Sequence, residues 1–459
     1  MLAPGALCVS LTPRSLDEVF SSDLTGADCV EVRLDYLDNP RESVTTRWDR
    51  LPLPVVATCR GRERGGKFEG PIEEEIRILQ YAVENCAAFV DIDHRFARAI
   101  AGAQVIASFH DFAGTPFDID TVLDCACTGP AQIAKVATFV NSWTDNHRLL
   151  SLLERERSKP VIVTGMGEIG QLTRIIGPAR GSFLTYAAST TASAPGQLSA
   201  SEMLDVYRFR RISRSTKLIG IVGSPVGHSL SPKIHNQAFD SANLDFVYLK
   251  FPTGDLKNFF GYARAIGIVG FSVTIPHKTA VIPFLGELTA EARTAGAVNT
   301  VSWRDGQWIG DNTDVYGVRA ALASTKFDPS GKTVVILGAG GAAKAAVAAL
   351  KGAGQVTVLS RHEIPTASTR RCDLLINATP IGMFPAVDCS PVEGAIPADV
   401  VFDMVYNPPI TRLLKSARDQ GKTVIQGTTM FLAQAARQFE IWTGHRAPSE
   451  SFEEKSGPS

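Results

Sequence analysis

The chain has 459 residues, 44% of them hydrophobic and 20% charged, with a formal net charge of −1. That length and composition call for two or three globular domains, and the near-neutral charge without a basic cluster excludes a nucleic-acid partner. No stretch reaches membrane-spanning length, Met1-Leu2-Ala3-Pro4-Gly5 lacks the basic and apolar regions of a secretory signal, and the 8 cysteines are scattered. Cys125-Ala126-Cys127 is too close for a zinc hairpin, so reduced thiols, a cytoplasmic location, no membrane partner and no metal are expected.

Short apolar runs recur through the first half, at residues 7–11, 29–34, 55–59, 89–92, 104–109, 133–137, 160–165 and 182–186. Most are separated by segments of helical character, such as 71–89 and 171–176. Eight strand–helix units in about 200 residues suit a compact (β/α)8 TIM barrel. A doubly wound open sheet has the same periodicity and stands as the alternative.

The placement of polar residues favours the barrel. Glu31, Arg33 and Asp35 fall in or just past the second run, Arg60 after the third, His110 and Asp111 after the fifth, and Lys135 within the sixth. Charges buried in strands are costly unless paired or used, and residues at the carboxyl ends of barrel strands converge on one site. A lysine desolvated there becomes a nucleophile toward a ketone, and the iminium it forms acidifies the adjacent carbon. A neighbouring histidine can remove that proton and protonate a leaving hydroxyl, while arginines suit a substrate carboxylate.

Glu31-Val32-Arg33-Leu34-Asp35, Ser108-Phe109-His110-Asp111-Phe112, Ala134-Lys135 and Ala192-Ser193-Ala194-Pro195-Gly196-Gln197 carry a family resemblance. Over residues 1–205 the chain resembles type I 3-dehydroquinate dehydratases. The resemblance implies Lys135 as the Schiff-base lysine and His110 as the general acid/base. It also places Ser10, Glu31, Arg33, Arg60, Arg174, Ser193 and Gln197 around the substrate. Arg64, before Gly65-Gly66, stands where that family has Glu, with Glu63 displaced by one. A slipped loop that restores the carboxylate and an enzyme that does without it are both open readings.

Residues 206–216 are basic and polar and read as a linker. Beyond them come Gly223-Ser224-Pro225-Val226-Gly227-His228-Ser229-Leu230-Ser231-Pro232, Thr274-Ile275-Pro276-His277-Lys278, Ala297-Val298-Asn299-Thr300 and Asp311-Asn312-Thr313-Asp314. A glycine turn follows, Gly338-x-Gly340-x-x-Ala343, between the apolar run 334–337 and an alanine-rich helix start. A strand, a glycine turn and a helix make the first unit of a dinucleotide site, with the pyrophosphate on the helix N-terminus. A triphosphatase loop is excluded, because Ala343-Lys344-Ala345 lacks Gly-Lys-Ser/Thr.

This order, continued by Asn377-Ala378-Thr379-Pro380, Asp403-Met404-Val405-Tyr406-Asn407-Pro408 and Gln434, resembles shikimate dehydrogenases over residues 216–446. The resemblance implies Lys278 and Asp314 as the catalytic pair, with Ser229, Ser231, Thr274, Asn299, Tyr406 and Gln434 on the substrate. It lines the cofactor with Gly338, Ala339, Gly340, Gly341, Ala342, Met404 and Gly427. The second nucleotide strand ends Ser360-Arg361-His362, and an arginine there suits a 2′-phosphate, so NADP is the expected cofactor. The family has Asn-Arg-Thr and a longer helix at this point, where only residues 362–372 precede the next motif.

The expected whole is a barrel (1–205), a linker (206–216), a substrate lobe (217–318) and a Rossmann-like NADP lobe (319–430). A returning helix (431–447) and a loose tail (448–459) complete it. The expected function is dehydration of 3-dehydroquinate to 3-dehydroshikimate, then reduction to shikimate. The competing reading is a quinate/shikimate dehydrogenase whose barrel is a silent binding or regulatory module.

Overall fold

The structure, a computed structural model, describes residues 2–189 and 191–452. Chain contacts divide it into two units. One holds the residues up to Lys217 together with Asp245–Ile268, and the other holds Leu218–Leu244 with the residues from Val269 onward.

In the first unit, eight strands pair in the order β7-β6-β5-β4-β3-β2-β1-β8. They are β1 (Ala6–Leu11), β2 (Cys29–Arg33), β3 (Val55–Thr58), β4 (Phe89–Asp93), β5 (Gln104–Asp111), β6 (Ile133–Phe139), β7 (Val161–Met166) and β8 (Leu184–Ala188). The pairs are parallel, which selects the barrel over the open sheet once the two ends meet. They meet through single bonds: Phe183 N donates to Val161 O at 2.7 Å and Val163 N to Ser182 Oγ at 3.2 Å. Helices α1 (Leu16–Phe20), α2 (Ile72–Glu84), α3 (Ile119–Thr128), α4 (Trp143–Leu152) and α5 (Gly167–Arg180) follow β1, β3, β5, β6 and β7. After β2 and β4 the chain makes only short 3₁₀ turns, so the strand–helix alternation is incomplete there.

Alternation along each strand explains where the site forms. One set of side chains, including Val30, Val32, Ala57 and Val90, packs outward against helix residues such as Leu79. The inward set begins with an apolar layer of Cys8, Cys29, Val56, Phe89, Ile106, Ile133, Ile162 and Leu184. Two residues further along, the inward positions are Ser10, Glu31, Thr58, Asp91, Ser108 and Lys135, all buried. The barrel is therefore plugged by hydrocarbon below and polar at its carboxyl end. Segment Asp245–Ile268 supplies β10 (Phe246–Pro252) and α7 (Leu256–Ile266) to this unit. Trp143 of α4 sits edge-on to Phe251 and Phe259 at 5.6 and 5.0 Å, and its backbone N–H donates to Asn258 Oδ1 at 2.8 Å.

The second unit carries β9 (Lys217–Gly223), α6 (Ser231–Ser241), β11 (Ile268–Val273), β12 (Glu287–Leu288), α8 (Ala290–Ala295), β13 (Thr300–Arg304) and β14 (Gln307–Asp311). Its strands here follow the order β9-β11-β13-β14-β12, with antiparallel pairs at β11–β13 and β13–β14. After α9 (Thr313–Ser324) comes a parallel sheet ordered β16-β15-β17-β18-β19. It comprises β15 (Thr333–Leu337), β16 (Gln355–Leu359), β17 (Cys372–Asn377), β18 (Ala398–Asp403) and β19 (Thr423–Ile425), with α10 (Gly341–Ala349) and α11 (Arg412–Asp419). The order reverses at β15, which opens a ligand crevice beyond the carboxyl ends of β15 and β17.

Helix α12 (Gly427–Thr443) then packs along α9. The loose tail expected from 448 starts instead with a helical turn, α13 (Ser449–Phe452), because Phe452 is buried against Phe439 and His235. The remainder of that tail, 453–459, lies outside the described residues.

Candidate active sites

At the carboxyl end of the barrel a cavity open to solvent is lined by all nine residues expected there: Ser10, Glu31, Arg33, Arg60, His110, Lys135, Arg174, Ser193 and Gln197. Its floor is organised by a residue that the sequence reasoning missed. Asp91 of β4 is buried and accepts from Lys135 Nζ, Arg60 Nη2 and Ser108 Oγ, each at 2.7 Å. Burial alone would raise its pKa, but the Lys135 and Arg60 cations prevail and hold it far below the usual carboxylate range. The signal was available: a carboxylate inside an apolar run is as costly as the lysine that drew attention to β6.

His110 Nε2 lies 2.9 Å from Arg60 Nη1. A guanidinium only donates, so Nε2 is the acceptor and the ring is neutral with its proton on Nδ1. Burial, reinforced by the Arg60 and Lys135 charges, lowers the His110 pKa well below its ordinary value. Lys135 also stands 4.0 Å from the centre of the Tyr186 ring, a cation–π contact that fixes the amine from the other side.

Around this core, Glu31 accepts from Ser10 Oγ at 2.6 Å and Thr58 Oγ1 at 2.9 Å. Arg33 forks onto Asp35 at 2.9 and 2.7 Å. Gln197 Oε1 accepts from Ser193 N and Oγ at 2.7 and 3.0 Å. Arg174 differs. It is only 2% exposed, has no ion pair among the described residues, and leaves its Nε without a hydrogen-bond partner. Burial lowers its pKa to about 10. A buried cation without its anion is the strongest mark of a missing ligand in the molecule.

Neither Glu63 nor Arg64 lines this cavity. Arg64 turns onto helix α2, where its guanidinium grips buried Glu75 at 3.1 and 2.8 Å, and Glu75 also accepts from Gly61 N at 3.1 Å. Burial raises Glu75 to a pKa of about 7, with the Arg64 charge opposing. Glu63 turns its carboxylate to Arg64, so the slipped-loop reading that would restore the carboxylate to the cavity is not met. Arg64 instead clamps the loop that follows Arg60.

The second unit holds a cavity of about 620 Å³, lined by Ser231, Thr274, Lys278, Asn299, Asp314, Tyr406, Gln434, Ala342, Met404 and Gly427. Lys278 Nζ donates to Asp314 Oδ2 at 2.5 Å, and Asn299 Nδ2 donates to Asp314 Oδ1 at 2.8 Å. Asp314 sits in the first turn of α9, capped by Asn312, where the helix dipole favours a carboxylate. Asn299 is held in turn: Thr313 N and Thr300 Oγ1 donate to its Oδ1 at 2.7 and 2.8 Å, and Gln438 Nε2 donates to its carbonyl at 3.2 Å. Gln438 also escaped sequence reasoning, although it lies one turn beyond Gln434 on the same face of α12. Tyr406 stacks on Phe431 with centroids 4.1 Å apart, and burial together with Asp314 raises its pKa. Ser229 is not among the lining residues; its Oγ accepts from Ser231 N at 3.3 Å.

Of the glycine turn, Ala342 reaches this cavity, whereas Gly338, Ala339, Gly340 and Gly341 do not line it. Gly338 has φ +103°, which only glycine adopts readily, and its N–H donates to Leu359 O at 2.8 Å. A Cβ on Gly341 would lie 2.8 Å from Lys278 Cβ, so the turn needs glycine there to pass the lysine. Gly427 is equally constrained, with Val405 O at 2.3 Å from a built Cβ. At the end of β16, Ser360 is half-buried and Arg361 is exposed, with no ion pair among the described residues. A short 3₁₀ turn (Ile364–Thr369) occupies the space before β17. The turn, the α10 N-terminus and the free Arg361 cation together fit a phosphorylated dinucleotide.

Three family models match the chain: type I 3-dehydroquinase over residues 7–214, the shikimate dehydrogenase substrate binding domain over 221–301, and the shikimate 5′-dehydrogenase C-terminal domain over 427–455. The chloroplastic bifunctional 3-dehydroquinate dehydratase/shikimate dehydrogenase of Arabidopsis thaliana is 35% identical over 505 residues, covering 98% of this chain and 84% of that protein. The shikimate dehydrogenase (NADP(+)) of Microcystis aeruginosa is 41% identical over 271 residues, 52% of this chain and 95% of its own. A crystal structure of a shikimate dehydrogenase in complex with NADP+ is 38% identical, covering 52% of this chain and 94% of its own, with a TM-score of 0.48.

Proposed function

Because this chain belongs to the bifunctional 3-dehydroquinate dehydratase/shikimate dehydrogenase family, we propose that its two cavities catalyse consecutive steps. The enzyme is a lyase at the barrel, converting 3-dehydroquinate to 3-dehydroshikimate through a Schiff base. In the second unit it is an NADP-dependent oxidoreductase that reduces this product to shikimate. The observation that carries the reading is the meeting of Lys135, neutral His110 and unpaired Arg174 in one cavity.

At the barrel, the substrate carboxylate pairs with Arg174 and relieves its buried, uncompensated charge. Lys135, as the free amine, attacks the ketone, and water leaves as the imine forms; once the dehydration is complete, one water hydrolyses the imine to release 3-dehydroshikimate and Lys135. His110 takes the proton from the carbon beside the iminium and returns it to the departing hydroxyl. Glu31, Ser10, Ser193 and Gln197 hold the ring hydroxyls, and Asp91 keeps Arg60, and through it His110, in register.

In the second unit, bound NADPH supplies the hydride. Gly338, Gly340, Gly341 and Ala342 would hold its pyrophosphate at the α10 N-terminus, Ser360 and Arg361 its 2′-phosphate, and Met404 and Gly427 the end that enters the cavity. Lys278 donates a proton to the alkoxide that develops on the ketone oxygen, and Asp314 keeps the amine oriented and charged. Ser231, Thr274, Asn299, Tyr406 and Gln434 fix the hydroxylated ring, with Ser229 steering Ser231 from outside the cavity.

The domains proposed are 1–205 for the dehydratase, a 206–216 linker, 217–318 and 319–430 for the two dehydrogenase lobes, and 431–447 for the returning helix, although by chain contacts Asp245–Ile268 group with the barrel residues. A cytoplasmic location is supported by free thiols, including Cys8 opposite Cys29 in the barrel.

Borohydride trapping tests the barrel chemistry. With 3-dehydroquinate present, peptide mapping is expected to find the reduced adduct on Lys135 and none in Lys135→Ala. An unmodified Lys135 in protein that is turning over substrate would exclude the imine route.

A further inference from the structure

The cation assigned to the 2′-phosphate has an anion beside it. Ser360, the residue just past β16, donates from both its backbone N–H and its hydroxyl to Glu363 Oε2, at 2.9 and 2.6 Å. The carboxylate thus occupies both donors of the residue immediately before Arg361, and those hydrogen bonds lower its pKa, so it is charged. Arg361 and Glu363 are both exposed.

We propose that Glu363 is a specificity-determining residue that lets NADH compete with NADPH in the dehydrogenase. The inference rests on the reading that Ser360 and Arg361 meet the adenine ribose. Two anions cannot share the Ser360 donors. A 2′-phosphate must displace the Glu363 carboxylate from them and then lie beside it, a like-charge contact that subtracts from the attraction of Arg361. A free 2′-hydroxyl has the opposite relation to the same group. It donates to a carboxylate oxygen, the arrangement by which acidic residues about 20 positions beyond the glycine turn select NAD. One rim thus carries a partner for each cofactor, Arg361 for the phosphate and Glu363 for the hydroxyl.

Glu363 also has a local role, since its N–H donates to Ser360 O at 2.9 Å and the four residues 360–363 form a capped turn. A purely structural cap would affect stability alone. The readout is therefore the ratio of kcat/KM with NADP+ to kcat/KM with NAD+, measured with shikimate on the full-length protein. The account expects wild type to use both cofactors and Glu363→Gln to raise the ratio by about tenfold, through a lower KM for NADP+ and a higher KM for NAD+. Glu363→Asp, shorter by one methylene but still charged, keeps the ratio closer to wild type. An E363Q ratio equal to wild type, or equal changes with both cofactors, overturns the inference. Arg361→Ala separates this from the underlying reading. Loss of NADP+ affinity alone supports the ribose placement, and no change with either cofactor refutes that placement and the inference with it.

Discussion

Replacing Asp91 by Asn tests the organisation of the barrel site at its least visible point. The carboxylate is fully buried and compensates two cations, Lys135 and Arg60, at 2.7 Å each. Asparagine keeps the shape, but its amide nitrogen points a donor at a cation, and both charges lose their counter-ion. Breaking a buried pair by removing one partner costs about 3–5 kcal/mol. For a unit of this size each kcal/mol shifts the midpoint by about 2–4 °C, so the dehydratase unit is expected to melt about 6–20 °C earlier. The pH dependence has a defined sign. Asp91 has a folded pKa far below its ordinary value of 3.8, so its contribution is present above about pH 4 and is lost as the pH falls toward the folded value. Urea unfolding at pH 7 and at about pH 2.5 reads both effects, with dehydratase kcat measured alongside at pH 7. The gap between wild type and D91N should be large at pH 7 and smaller in acid, and kcat should collapse as Arg60 and His110 lose their anchor. A D91N protein within about 0.5 kcal/mol of wild type, with unchanged kcat, would refute the hub assigned to this carboxylate.

Two further perturbations address the second unit. Gly341→Val puts branched carbon where Lys278 packs, 2.8 Å from a built Cβ, so shikimate oxidation should fall by about 100-fold while dehydratase activity is retained; wild-type dehydrogenase kinetics in this variant would show that the turn does not position the lysine. His235 is buried among Phe239, Trp442 and Phe452, and burial, opposed by a hydrogen bond with Gln438, lowers its pKa from 6.5 to about 3. Its stabilising contribution is complete above pH 6.5 and fades as the pH falls toward about 3, by about 1.4 kcal/mol per pH unit. His235→Leu should be less acid-sensitive in urea titrations between pH 7 and 5, and an unaltered slope would contradict the assignment.

The barrel was legible because its strands are short apolar runs interrupted by charges at one depth. Lys135, Glu31 and Arg33 break an apolar pattern, and the fold collects all three at one end. Asp91 broke the pattern in the same way but carried no motif, so its role appeared only when β4 came to lie between the strands bearing Arg60 and Lys135. Arg64 could be read as a departure, but its partner Glu75 stands eleven residues on, on α2, and only the fold joins them. The tail misled for a related reason. Ser449 to Phe452 is too short to show periodicity, and its burial depends on a pocket made by α6 and α12. In the dehydrogenase, the Lys278–Asp314 pair was readable from its motifs. The network behind it was not, because Thr300, Thr313 and Gln438 act through Asn299 and not on a ligand. The same limit hid Glu363, an ordinary turn residue in the sequence whose carboxylate accepts from both Ser360 donors in the structure.

The most direct test of the two-step assignment is a single assay with purified protein, 3-dehydroquinate and NADPH, and no added dehydratase. The account predicts steady loss of reduced-cofactor absorbance with shikimate as the product, abolished by Lys135→Ala and restored to that variant by 3-dehydroshikimate. No absorbance loss from 3-dehydroquinate, with normal turnover of 3-dehydroshikimate, would contradict it and leave the barrel without the chemistry assigned to Lys135.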